Sequence, residues 1–571
     1  MFRDDYKGEV DYLFQLCEAL GEEQPSLAPM LGRDADPAIS RLVQGLSFSF
    51  GRLRQRLDDD LPEVIHPIIE NLCPQLLQPT PSGTILELVP ATRMMASQIV
   101  NAESSFAARP LEGVSCTFRS TTDCEVSPWA LQRVEISAER SVVRLTFNIF
   151  EGAMLNAALP NTLSLFFALP AAAALEARSF FLEHTTLVTA RAITGGTAVR
   201  VTEALSSDLP NGAAPSDSAS VAAFVRLRES FVYPHSFAFV RVPGLDAAKA
   251  LGRDVRTIVL EFTFREPLPR GLDLNTDSVR IHCVPVINVF HLPSMSVPLD
   301  SRVHGRIWIG DDVAEGEVFA IERVRIVNRE LQRIDVEPWA RFFPPDPNVQ
   351  PNTIRYKVRR SPSVFGPHLD TNLSFETAPD VLKGIVSAEV DILATNGTRA
   401  ARVGIGDVCL PTTTSPAQMT FRNVTPVSRT CSPPLGNDGL WKFFRFLRVG
   451  LATLADTDYL ASVLALANLP AHAEWPDAKP AADRFLPLVC VNRRRAHSTS
   501  SIEVRPGVLL RVDVDTRRFA SMGELRLFGE LLVPLFASTI LEHEWIEMTL
   551  ADAEGRPLFA FPRCTGQRYG I

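Results

Sequence analysis

The sequence of 571 residues is short of cysteine, of net charge and of long apolar runs, and it has fewer glycines than prolines. Each shortage closes a class of explanation. Nine cysteines, scattered and odd in number, do not make the dense, even framework of a small disulfide-stapled secreted domain. Cys17, Cys73, Cys283 and Cys490 stand among apolar neighbours and read as reduced, buried thiols. The longest apolar windows, such as 162–175, are too short or too broken to span a bilayer. The start, Met1-Phe2-Arg3-Asp4-Asp5-Tyr6, is charged and has no signal-peptide core. The expectation is a cytoplasmic chain with no direct membrane insertion. A formal net charge of −9 is mild for this length and argues against a dominant nucleic-acid surface. Forty-three prolines against 31 glycines favour defined turns and extended segments over flexible linkers.

Complete catalytic motifs are also missing. His282-Cys283, with His291 nearby, is the tempting group, but adjacent residues of a strand point to opposite faces, so His282 is badly placed to activate Cys283. A buried strand holding a satisfied histidine is the expectation. Cys116 and Cys124 do not supply the second ligand pair of a metal site. His543-Glu544 begins like a zinc-protease motif, yet Glu547 stands where the second histidine belongs. Gly404-x-Gly406 lacks the third glycine and the lysine of a phosphate loop. Asp58-Asp59-Asp60 beside Arg52, Arg54 and Arg56 reads as a solvated helix end. Arg493-Arg494-Arg495 is a small basic patch in an expected loop, too short for nucleic acid. No catalytic residue, cofactor or metal is expected, and the chain reads as a non-enzyme.

What is present is a patterned N-terminus followed by extended sequence. Tyr6, Val10, Leu13, Leu16 or Cys17 and Leu20 recur at helical steps, and Pro25 breaks the pattern. After Asp36-Pro37, a capping residue and a first-turn proline, the stripe Leu42, Leu46, Phe50, Leu53, Leu57 follows. A third helix carries Val64, Ile68, Ile69, Leu72 and Leu76. Stripes of this kind need a partner surface, inside the chain or outside it. From Thr84 the texture alternates as strands do, at 84–89, 114–119, 142–147, 257–264, 279–290 and 315–327. Residues 206–219 form a turn-rich loop, and 344–367 reads as a proline-rich linker. Helical spacing returns after Leu440, and 508–514 is a further strand. The fold class is therefore α+β, a helical N-terminal segment followed by several mainly β portions and a few C-terminal helices. The expected divisions are a helical region at 1–82, β-rich domains at 83–250 and 251–345, and a C-terminal α+β domain at 346–571.

Several stretches together resemble one family. They are Tyr6, Glu9, Tyr12-Leu13, Pro25-x-Leu27-Ala28 and Asp36-Pro37, then Arg41-Leu42, Gly45, Phe48, the run from Arg52 to Asp59, Leu61-Pro62-Glu63 and Pro74-x-x-Leu77-x-Pro79-x-Pro81-Ser82. Further on come Gly113-x-x-Cys116-x-Phe118-Arg119-Ser120 and Leu227-x-Glu229-x-Phe231-x-Tyr233-Pro234-x-x-Phe237-x-Phe239. The densest piece is His282-Cys283-x-Pro285-Val286-x-Asn288-x-Phe290, and the tail adds Phe519-x-x-x-Gly523 to Leu532 and Pro562-Arg563-Cys564-Thr565-Gly566. This pattern resembles TssF (VasA, ImpG), a baseplate subunit of the bacterial type VI secretion system. Thr117 and Ser120 depart from it, where the family more often has Arg and Thr.

The resemblance implies a structural wedge protein and no enzyme. It implies association with TssG, as two copies of this chain per TssG, with self-association in the wedge. TssK and TssE would complete the wedges around the VgrG hub and anchor the contractile tube and sheath. The baseplate would dock at the inner face of the cytoplasmic membrane through other subunits. The partner-facing residues are expected in the helical region: Tyr6, Leu13, Leu20, Leu42, Leu46, Phe50, Leu53, Leu57, Ile68 and Leu72. The alternatives are a wedge protein of a phage tail or extracellular injection particle, and a cysteine hydrolase centred on Cys283.

Overall fold

In the computed structural model residues 65–568 are described, apart from 194, 196, 208–217, 253, 298–303, 308–315, 329, 331, 340–353, 364–367, 377–384, 473–487 and 500–503; for 304–306, 376, 385–386, 488–499 and 504 the description is of backbone alone. The architecture is α+β. The predicted helices before residue 65 lie outside the described residues.

The organising strand is Gly83–Pro90. It pairs antiparallel with Cys283–Ile287 on one side and with Met419–Asn423 on the other, in a six-stranded sheet completed by Thr117–Ser120, Ser105–Ala108 and Val408–Pro411. Successive side chains of a strand point to opposite faces. Ile85 accordingly enters one apolar core, with Trp129, Phe147, Phe166 and Phe262, while Leu86 and Leu88 enter another, with Phe106, Phe118 and Phe421. The neighbouring strand divides in the same way, with Cys283 on the first side and Val284 and Val286 on the second. The sheet is a wall shared by two cores.

Behind the first face stand a five-stranded sheet, in the order Val199–Thr202, Thr185–Ala192, Thr257–Phe264, Val142–Ile149, Trp129–Ile136, and a three-stranded one of Phe239–Pro243, Thr162–Phe167 and Val279–Arg280. The sequence 279–290, read as one strand, is broken at 281–282. Its two pieces join different sheets, and His282 turns the chain with φ of 54°.

Between residues 290 and 395 the chain makes a seven-stranded sheet with a core of its own, including Val324, Ile326, Leu373, Phe375, Val390 and Ile392. It draws strands from both sides of residue 345. Strand Arg355–Pro362 lies within the stretch read as a linker: its partner Leu369–Glu376 gives it eight paired positions, enough to hold a proline-flanked segment extended.

The C-terminal part is a four-stranded sheet, Leu488–Thr499, Val504–Val514, Trp545–Asp552 and Pro557–Thr565. Arg493 to Arg495, expected in a loop, lie in its first strand, fixed by pairing with Val508 to Leu510. Helix Met522–Ala537 bridges the parallel pair Val504–Val514 and Trp545–Asp552. Its N-terminus is capped by Ser521, whose hydroxyl accepts the Glu524 amide at 3.1 Å. Across it pack helices Ala171–His184 and Ala219–Val232, with a large core that includes Phe224, Phe443, Leu464, Leu531 and Phe536. Arg178 and Glu530 form a buried ion pair of 2.5 Å between two of these helices.

Candidate functional site

The family-like pieces converge on the shared wall, at the kink before Cys283. His282 is buried, and its Nε2 accepts the Ser127 amide at 3.1 Å. An accepting Nε2 leaves the ring neutral with its proton on Nδ1. Burial alone pushes this histidine down from 6.5 to about 3. The satisfied histidine anticipated from sequence is thus present, on a turn between two strands instead of within one.

Cys283 is also buried, and its thiol lies 3.5 Å from the Ile281 carbonyl. Burial, reinforced by Glu87 and Cys124, holds it well above the ordinary thiol range, against a weaker opposing effect of Arg280 and Arg422. A nucleophilic cysteine needs the reverse: a lowered pKa and a base in reach. His291 is elsewhere, its Nε2 2.8 Å from Glu322 on the surface of the seven-stranded sheet. A cavity of about 480 Å³ opens beside the kink, lined by Ile99, Cys124, Glu125, Arg241, His282 and Cys283 among others. Its two thiols are both held protonated by burial, Cys124 pushed up to about 12.

Around the kink the contacts are those of a joint. The motif with Tyr233 runs from helix Ala219–Val232 through a short 3-10 turn, Pro234–Phe237, into strand Phe239–Pro243. Tyr233 and Phe237 are buried, and Phe239 packs on Phe166 with ring centres 4.9 Å apart. The Tyr233 ring lies over Gly83 so closely that a Cβ there would come within 2.7 Å of it. Glu87, four residues on, receives the Arg280 guanidinium at 2.9 and 3.0 Å and Arg422 at 3.0 Å. Three chain segments are tied by one carboxylate.

Asn288, at the end of the same motif, holds the neck of the seven-stranded sheet. Its carboxamide donates to the Thr117 carbonyl and to Asn396 Oδ1, both at 2.8 Å, and accepts the Asn396 amide at 2.7 Å. The chain leaves for the sheet just after Asn288 and returns just before Asn396, so this buried pair clasps both crossings. Sequence reasoning recorded Asn288 only as part of a pattern and had no signal for Asn396 or Gly83.

The other partial motifs have structural employment. His543 and Glu544 precede a strand, not a helix; Glu544 accepts the Leu541 amide, and Glu547 pairs with Arg563 at 3.0 Å. The Gly406 amide, which a phosphate would need, is donated to Asn423. Among the described residues no group of three or more His, Cys, Asp or Glu side chains could hold a metal ion, and no helix is long and apolar enough to cross a membrane.

Of the expected partner-facing residues, Tyr6, Leu13, Leu20, Leu42, Leu46, Phe50, Leu53 and Leu57 lie outside the described residues. Ile68 and Leu72 lie on helical residues 65–72. This helix buries Ile65 and Ile69 in the C-terminal core, together with Cys73 just after it. Ile68 is half-buried on its flank, and Leu72 is 59% exposed.

Comparison with known proteins decides the family. The family model described as "Type VI secretion system, TssF" matches residues 1–568. The chain belongs to the TssF family. A curated relative, the type VI secretion system component TssF1 of Pseudomonas aeruginosa, is 32% identical over 89 residues. That stretch is 15% of this chain and 14% of the relative, so most of the TssF1 length is not spanned by it. A chain from a cryo-electron microscopy structure of a type VI secretion TssK-TssF-TssG baseplate subcomplex superposes with a TM-score of 0.75 at 23% identity, covering 93% of this chain and 99% of that one. A second, from a structure of the type VI secretion baseplate complex, gives 0.63 at 20% identity over the whole of both chains. At these identities the likeness shows that this TssF-family chain shares their fold.

Proposed function

We propose that this chain is a structural wedge component of a type VI secretion baseplate, assembling with TssG and TssK, completed by TssE around a VgrG hub, and anchoring the contractile sheath and tube. The observation that carries the reading is the span of the family match, residues 1–568, over a fold shared with a chain solved in a TssK-TssF-TssG subcomplex. The joint around His282 supports it: carboxylate, asparagine and aromatic contacts fix segments to one another, and burial raises the pKa of the thiol beside them. A multi-sheet body whose N-terminal sequence carries amphipathic stripes suits a subunit that passes rearrangement from hub to sheath. We assign the partner contacts to the stripes Tyr6, Leu13, Leu20, Leu42, Leu46, Phe50, Leu53 and Leu57 with Ile68 and Leu72, in a cytoplasmic assembly holding two copies of this chain per TssG.

The test is co-expression with the TssG encoded beside it, followed by size-exclusion chromatography with mass determination. A stable complex with two copies of this chain per TssG is expected. A folded monomer indifferent to TssG refutes the proposal.

A further inference from the structure

Where helical residues 65–72 meet the base of the seven-stranded sheet, ionisable groups are buried together in unequal numbers. Arg360, with a side chain 1% exposed, donates to the Val318 and Phe319 carbonyls at 3.2 and 3.0 Å. Its backbone amide donates to His66 Nε2 at 3.1 Å, and its Nε lies 3.6 Å from Glu70 Oε1. Glu317, 2% exposed, accepts the Leu369 amide at 2.8 Å and a hydrogen bond from Ser432, and it too feels the Arg360 charge. Two carboxyls therefore share one guanidinium. The remaining titratable neighbours do not restore the balance. His66 is neutral, since it accepts through Nε2; Arg359 acts on His66 and Tyr356 lies by Glu70; Lys357, on the same cavity wall, sits over the Trp339 ring at 4.1 Å; His368 is taken up with Asp370, 3.8 Å away, beside Leu369. Glu70 Oε2 and His66 Nδ1 have no hydrogen-bond partner in the protein. A buried carboxylate without its own cation is expensive, and protonation is the usual relief.

We propose that this contact is a proton-controlled joint: with Glu70 and Glu317 protonated the helix stays seated on the sheet, and with both carboxyls ionised around the single Arg360 the seat loosens. A cavity of about 240 Å³ against the same groups, lined by Glu70, Asn71, Gln78, Tyr356, Lys357 and Arg360 among others, gives the loosened helix room to shift. The direction of titration agrees. Burial raises Glu70 and pushes Glu317 up from 4.5 to about 7. A carboxyl raised on folding contributes stability that is complete below its unfolded pKa and is lost as pH rises through the folded one. For Glu317 that window runs from about 4.5 to about 7. His66, pushed down to about 4, works in the opposite sense over nearly the same range, so the wild-type profile alone is not diagnostic.

The experiment is hydrogen exchange on the full chain, comparing wild type with Glu317→Gln, which keeps the acceptor for Leu369 but cannot ionise. The readout is the ratio of their protection factors in peptides covering 65–77 and 355–362 at pH 5, 6 and 7; His66 and the intrinsic rates cancel in it. The expected ratio rises in favour of the variant by about tenfold per pH unit, levelling off above pH 7. A ratio that does not change with pH overturns the proposal. If Glu317→Gln does not fold, Glu70→Gln carries the same comparison with the same two outcomes.

Discussion

His282 gives the sharpest prediction. Its ring must be neutral to accept the Ser127 amide, and burial pushes it down from 6.5 to about 3. A histidine depressed on folding contributes stability that is complete above its unfolded pKa and is lost as pH falls toward the folded one. At 1.36 kcal/mol per unit, the whole span is worth about 5 kcal/mol, and the part between pH 6.5 and 5 about 2 kcal/mol, or roughly 30-fold in local opening. The perturbation is His282→Asn, because asparagine tolerates the positive φ of 54° and has no proton to gain. The assay is hydrogen exchange in peptides covering 83–90 and 283–287, for wild type and variant at pH 7 and pH 5, corrected for intrinsic rates. The variant is expected to be the less protected of the two at pH 7, having lost a buried hydrogen bond. The wild type should then lose roughly 30-fold more protection than the variant on acidification, since other titrating groups are common to both. Parallel losses would refute the claim that this ring is buried neutral.

Three further outcomes are expected. Gly523→Ala should destabilise the chain by about 3 kcal/mol, the upper end of overpacking, read as a lowered urea midpoint. The added Cβ would sit 2.2 Å from the Leu175 carbonyl oxygen and 2.4 Å from the Glu176 nitrogen, backbone atoms of the crossing helix that cannot step aside. Cys283 should resist iodoacetamide at pH 7.5 in the native chain and react once unfolded, and Cys283→Ala should lose roughly 1 kcal/mol to a small cavity while leaving complex formation intact; rapid native alkylation would revive the hydrolase reading. If the stripe carries the proposed contact, Leu46→Asp or Leu53→Asp should abolish co-purification with TssG, because the charge would be buried there without a partner; normal complexes carrying either change would remove the stripe from the interface.

Where the structure was legible in the sequence, the reason is local. Strands such as Thr257–Phe264 and Val142–Ile149 announce themselves because alternation and β-branched residues act over a few positions. The break at His282 was not announced, since no glycine or proline stands at 281–282 to mark a turn; the turn is imposed by two sheets that each claim one half. Helix Ala171–His184 was missed for the opposite reason. It is buried on several sides, with Ala174, Leu175, Ala177, Arg178, Phe180 and Phe181 all covered, so it has no polar face to mark its period. Of the joint, the sequence displayed Tyr233, His282, Cys283 and Asn288 as a pattern without a geometry. Gly83, Glu87 and Asn396 acquire their roles from partners far along the chain, which no local window contains.

The wall shared by two cores has a consequence for how the chain is made. Strand Gly83–Pro90 leaves the ribosome early, yet the Thr84 hydroxyl finds its partner Thr425 a further 341 residues on. At 5–20 residues per second, that partner follows after roughly 20–70 s of synthesis. Both edges of the strand are unpaired until Cys283–Ile287 is made, and one edge stays open until Met419–Asn423 follows, an adhesive state for a strand. A nascent or truncated chain ending before Met419 can close the edge that faces Cys283–Ile287 but not the other. Biogenesis of this subunit therefore depends on shielding one eight-residue segment until most of the polypeptide exists, and polypeptides cut short in that interval are the ones that should aggregate.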